Sequence, residues 1–176
     1  MSRLPLIDPA RAAGRAKEIF EGPLKGKAFN IFKAMANAPA ALDVYLCMSG
    51  ALSKCGLTGK ELETVQLAVG EANQCSYCTD AHTVIGKMQG LTEAQTLEAR
   101  RGSLADPRLN AIAKFTLALH EKRGFVSDAD VAAFKQAGYT DANLAEALAA
   151  YALALYTNYF NHMNNTPIDF PTVAKV

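Results

Sequence analysis

The chain has 176 residues, half of them hydrophobic, with 18 Lys plus Arg against 17 Asp plus Glu and a net charge of +1. That balance excludes an electrostatic case for nucleic acid or an anionic membrane, and the absence of Trp removes the usual platform for stacking bases. The length suits one domain over residues 1–176, enough chain to bury a real core. Four cysteines, Cys47, Cys55, Cys75 and Cys78, are too few for a disulfide-stapled secreted fold. Met1 to Pro5 opens without an apolar signal core, and the longest apolar run, Leu148 to Tyr156, falls short of the ~20 residues that span a bilayer. A reducing cytoplasm is therefore the expected setting, where a C-x-x-C is more often redox or metal chemistry than a structural bridge.

In chain order, the pattern predicts helices over about 9–21, 28–37, 39–54, 59–73, 76–89, 92–101, 107–123, 127–137 and 140–163. Ala is abundant and β-branched runs are missing. Thr58 to Glu61 and Thr92 to Gln95 read as capping boxes. Asp106-Pro107 is an N-cap followed by Pro at the first helical position, and Ser127 and Thr140 open two more helices. Gly22, Gly56, Gly90, Gly102, Gly124 and Gly138 punctuate the ends. The segment 107–123 carries an apolar stripe of Leu109, Ile112, Ala113, Phe115, Thr116 and Leu119. The last helix is apolar almost all round from Leu144 to Phe160, which suits a central or interface-buried helix. Pro167 and Pro171 make the tail an extended arm. The expected class is an all-α, single-domain helical bundle.

The chemistry concentrates in Cys75-Ser76-Tyr77-Cys78-Thr79-Asp80-Ala81-His82. On a helix at about 100° per residue, both thiols and the imidazole share one face. Ser76 reads as the N-cap, which sets the thiols beside the positive end of the helix, where thiolates are favoured. His82 sits one turn beyond Cys78, in reach of its proton. Glu63, twelve residues before Cys75, would be returned to the site by an antiparallel helix pair and could orient His82. The resulting cycle has Cys78 attack the O–O bond of a hydroperoxide, Cys75 condense with the sulfenic acid, and an external thiol or dithiol reductant restore both.

The stretch Glu63-Thr-Val-Gln-Leu-Ala-Val-Gly-Glu-Ala-Asn-Gln-Cys75-Ser-Tyr-Cys78-Thr-Asp-Ala-His82 resembles the active-site core of the AhpD-like alkylhydroperoxidases, within the carboxymuconolactone decarboxylase superfamily. The likeness covers about residues 39–92 well and the C-terminal helix, with Asn158 to His162, more loosely. It implies an all-α fold, homo-oligomers that are often trimers or hexamers, and thiol-dependent peroxide reduction in antioxidant defence. It implies Cys78 as the peroxide-attacking thiol and Cys75 as the resolving one, with Glu63 and His82 as the relay and no cofactor or metal. The decarboxylase branch generally lacks paired cysteines, so their presence argues against lactone decarboxylation. The sequence departs at Tyr77, where AhpD commonly carries a His; a phenol titrating near ~10 is a poor base at neutral pH.

Two other readings compete. A dithiol–disulfide oxidoreductase would exchange disulfides without turning over peroxide. A non-catalytic, oligomeric metal-binding protein would use Cys75, Cys78 and His82 with Glu63 or Asp80 as a fourth ligand. Cys47 and Cys55 read as packing residues, and Glu71 as a surface residue. His120 reads as a cation at a helix C-terminus, and His162 as an interface or pocket residue. Tyr151, Tyr156 and Tyr159 suit core or oligomer contacts. Gly86 to Gly90 lacks the ending of a phosphate loop and reads as a helix terminus.

Overall fold

The computed structural model describes residues 2–176, and among them the regular elements are all helical. In order these are α1 (Gly14–Glu21), α2 (Asn30–Met35), α3 (Pro39–Leu52), α4 (Gly59–Ala72), α5 (Ser76–Met88), α6 (Glu93–Arg100), α7 (Pro107–Glu121), α8 (Asp128–Gln136) and α9 (Asp141–Asn164). The all-α expectation holds. The predicted helix over 9–21 is corrected: it divides into a 3-10 turn, Pro9–Arg11, and α1. Gly14 takes a left-handed φ of +53° at the junction, and that breaks the run.

The starts are set by side chains that satisfy the free N–H groups of each first turn. Reciprocal capping boxes join Thr58 with Glu61, Thr92 with Gln95, Ser127 with Asp130 and Thr140 with Asn143. Asp106 accepts from the N–H groups of Arg108 and Leu109 at the head of α7.

The centre of the bundle is α4, which packs against α5, α6, α7 and α9. Its residues are buried all round, from Thr64 through Gly70. Val65 and Val69 meet Ile112, Phe115, Phe134, Ala147 and Ala150 on one side. Leu67 and Ala68 meet Leu91, Ala99, Leu109 and Ala113 on another. A third apolar cluster joins Ile19, Phe20, Ile31, Phe32, Met35 and Leu42 to Cys75, Tyr77, Cys78 and Ala81. The N-terminal helices thus roof the first turn of α5.

Glu61 does more than cap. It is 2% exposed, and its Oε1 accepts from Arg108 Nε at 2.6 Å and from the Tyr139 hydroxyl at 2.9 Å. Arg108 also lies over the Tyr139 ring, 4.0 Å from its centroid. Burial pushes the Glu61 carboxyl up, but the Thr58 N–H, Arg108 and the two hydroxyls outweigh it and hold the group below its usual range.

The last helix sends Ala147, Ala150, Leu153 and Ala154 into the core and leaves Leu148, Tyr159 and Met163 exposed. Cys47, expected to pack, is likewise exposed on α3, because Leu42 and Leu52 are the side chains that α3 buries. Cys55 is half-buried. After α9 the chain is extended, as expected, and lies across α2 and α5. Asp169 accepts from the Asn30 N–H at 2.8 Å and from the Tyr77 hydroxyl at 2.7 Å. Phe170 packs on Phe29 and edge-on to Tyr77. Val173 N–H donates to Asp80, and Ala174 C=O accepts from Arg100.

Candidate active site

The turn between α4 and α5 positions the cysteines. It closes α4 with Gln74 in a left-handed conformation, φ +56°, and with Cys75 N–H donating to Gly70 C=O at 2.9 Å. Cys75, not Ser76, is the N-cap of α5: its Sγ accepts from the Cys78 N–H at 3.3 Å, and Ser76 is the first helical residue. The expectation fails because the sulfur itself occupies the place of a capping oxygen. Cys75 and Cys78 are joined by a disulfide with Cα atoms 5.2 Å apart, and they are only 1% and 2% exposed.

Glu63 and His82 meet as expected. His82 Nδ1 lies 2.7 Å from Glu63 Oε2, with side chains 19% and 13% exposed. A carboxylate only accepts, so Nδ1 carries the proton of this contact. A Cβ on Gly70 would make ordinary van der Waals contact with Cys78 Cβ at 3.5 Å, whereas one on Gly86 would stand 3.1 Å from Leu91 Cδ1, closer than such contacts normally come. Tyr45 borders the pair; burial pushes its phenol up, the Ser49 hydrogen bond opposes that, and the charge of Glu63 adds to it.

Tyr77 is not a relay member. Its hydroxyl donates to Asp169 and accepts from the Ile31 N–H at 3.3 Å. Burial, then the Asp169 hydrogen bond, hold it far above the ordinary tyrosine range, so it stays neutral. Glu71 pairs with the buried Arg100 at 2.7 Å rather than facing solvent freely. His120, in the last turn of α7, contacts the Tyr151 hydroxyl through Nδ1 at 3.3 Å. His162 is exposed near Tyr159. Among the described residues, no three His, Cys, Asp or Glu side chains are grouped to hold a metal ion, and no helix is long and apolar enough to cross a membrane.

One contact was missed by sequence reasoning. Asn161 of α9 donates from Nδ2 to Cys78 Sγ at 3.4 Å and is 4% exposed. The available signal was an Asn at every third position, 158, 161 and 164, inside an otherwise apolar helix.

This bundle is the AhpD-like fold. Similar solved structures include the alkylhydroperoxidase AhpD core of an uncharacterized peroxidase-related protein from Ralstonia eutropha JMP134. Its TM-score is 0.85 at 23% identity, over 96% of this chain and 92% of that one. An uncharacterized peroxidase-related protein from Silicibacter sp. TM1040 gives 0.81 at 19% identity, over 94% and 89%. The debrominase Bmp8, as a Cys-to-Ala variant in complex with 2,3,4-tribromopyrrole, gives 0.74 at 14% identity, over 96% and 94%. No curated protein matches the chain. Residues 39–121 match the model of the carboxymuconolactone decarboxylase family, and the chain shares its fold with the AhpD-like proteins.

Proposed function

We propose that this protein is a thiol-dependent peroxidase acting on hydroperoxides. The observation that carries the reading is the 2.7 Å Glu63–His82 pair, set one turn beyond Cys78 on the helix that begins with the cysteine couple. His82 Nε2 takes the Cys78 proton, and Glu63 stabilises the resulting imidazolium. The thiolate attacks the terminal oxygen of ROOH. An S–O bond forms, the O–O bond breaks, and the leaving RO⁻ takes the proton from His82. Cys75 thiol then displaces water from the Cys78 sulfenic acid to give the disulfide. Two equivalents of an external thiol, or one dithiol, return both cysteines to thiols and leave as a disulfide.

A reducing cytoplasm supplies such a reductant. The exposed apolar residues of α3 and α9, among them Val44, Leu148, Tyr159 and Met163, support a homo-oligomer, as a trimer or hexamer. The debrominase on the same fold keeps a second reading in view, in which the couple reduces a substrate other than a peroxide.

The deciding experiment is single-turnover reduction of hydrogen peroxide and an alkyl hydroperoxide by the reduced protein, with thiols titrated before and after. Loss of two thiols per chain, and a trapped sulfenic acid in Cys75→Ser but not in Cys78→Ser, is the expected result. Thiols that survive excess peroxide would remove the peroxidase reading and transfer it to disulfide exchange.

A further inference from the structure

The inner face of α9 carries Asn158, Asn161 and Asn164, which are 0%, 4% and 0% exposed. Asn164 is accounted for structurally. Its Oδ1 accepts from Leu4 N–H and its Nδ2 donates to the Thr166 hydroxyl. Asn161 is not. Its Nδ2 spends its bond on the Cys78 sulfur, and its buried Oδ1 has no protein partner. A disulfide sulfur is a weak acceptor, and an aliphatic side chain would suit an apolar cluster better. The same N–H facing a thiolate makes a charge-assisted bond, which is much stronger. The contact therefore gains strength in the reduced, ionised state of the couple. It also selects one sulfur: the donor reaches Cys78, while Cys75 Sγ is engaged with the Cys78 N–H at the helix cap.

We propose that Asn161 is a catalytic residue of this site, its amide N–H holding Cys78 as the thiolate and its Oδ1 accepting the O–H of the incoming hydroperoxide. The second contact rests on the peroxidase reading above; the first does not. In the attack, the terminal oxygen leaves its O–O bond for the sulfur and keeps its hydrogen, which stays hydrogen-bonded to Oδ1, so the sulfenic acid forms already held by the same amide. The RO⁻ group departs with the bonding pair and is protonated by His82.

The test uses Cys75→Ser, in which Cys78 titrates alone, combined with Asn161→Ala or the isosteric Asn161→Asp. Asn158→Ala serves as a control in the same seam. Each protein is checked by thermal melting. The pH dependence of iodoacetamide alkylation is then measured, followed by the rate of sulfenic acid formation with hydrogen peroxide. Asn161→Ala is expected to raise the alkylation midpoint by about one pH unit, a tenfold loss of thiolate below it. Asn161→Asp, which places a carboxylate against the sulfur, is expected to raise it further. Sulfenic acid formation falls about tenfold or more in both, and Asn158→Ala leaves the midpoint in place. If Asn161→Ala does not fold, Asn161→Leu, of similar volume and without a donor, decides. A midpoint within about 0.3 pH units of the parent in a folded variant overturns the assignment, whatever the peroxide does. A raised midpoint in a parent that ignores peroxide keeps Asn161 on the thiolate and removes the Oδ1 contact together with the peroxidase reading.

Discussion

Glu63 and His82 are 19 residues apart in sequence and 2.7 Å apart in space. The pair exists because α4 turns back into α5 through one left-handed residue, Gln74. The side chains are partly sheltered, which strengthens the interaction between carboxylate and imidazole relative to one in open water.

If His82 is the base, His82→Gln should slow sulfenic acid formation by roughly 10²–10⁴. Glu63→Gln should slow it less, by about 10-fold to 10²-fold, because the base remains but loses its orienting partner. Stopped-flow single-turnover rates with hydrogen peroxide check both. Rates equal to wild type in His82→Gln would take the imidazole out of the chemistry.

Glu61 predicts an acid-sensitive fold. Its carboxyl is held below its ordinary value when folded, and it titrates near ~4.3 when unfolded. The folded value is the lower one, so the stabilisation is present above the unfolded value and is lost as pH falls through the folded one. Glu61→Gln should cost roughly 2–4 kcal/mol at pH 7, and the gap to wild type should narrow below about pH 4. Urea denaturation across pH 3–7 measures it. A gap independent of pH would assign the loss to packing.

Gln74 holds a left-handed conformation that glycine adopts without penalty. Gln74→Gly should therefore stabilise the fold by about 1 kcal/mol, and thermal melting at fixed pH reads it directly. A lower melting temperature would mean that the Gln74 side chain contributes more than its strain costs.

The extended arm closes over the first turn of α5 through Asp169 and Tyr77. Asp169→Ala removes the acceptor of a buried hydroxyl and a cap on the N–H of Asn30. Loosening of that order, about 1.4 kcal/mol, should speed dithiothreitol reduction of the Cys75–Cys78 disulfide roughly tenfold if local opening limits it. An unchanged reduction rate would mean that the reductant enters by another face.

The fold was legible where structure is local. Capping boxes expected at Thr58 and Thr92 form, and Ser127 and Thr140, expected to open helices, do so through boxes of their own, each within four residues of sequence. The meeting of Glu63 with His82 and of Cys75 with Cys78 was legible from helix spacing together with the family resemblance. Less legible were features that depend on what packs from a distance. Cys75 displaces Ser76 as the cap because its sulfur faces the Cys78 N–H, which propensity does not encode. Cys47 looks like a core residue by type, and only the placement of α3 exposes it. Asn161 and Asp169 reach the site across 83 and 92 residues; the Asn spacing on α9 does not say which sulfur it meets, and no local pattern marks Asp169.

Those long spans have a consequence for biosynthesis. A ribosome adds residues one by one, at roughly 5–20 per second, so Asn161 is joined about 4–17 s after Cys78. Through that interval the nascent chain carries its thiols with neither amide nor arm beside them. Until α9 docks, the two cysteines lack the Asn161 contact that the folded chain gives Cys78.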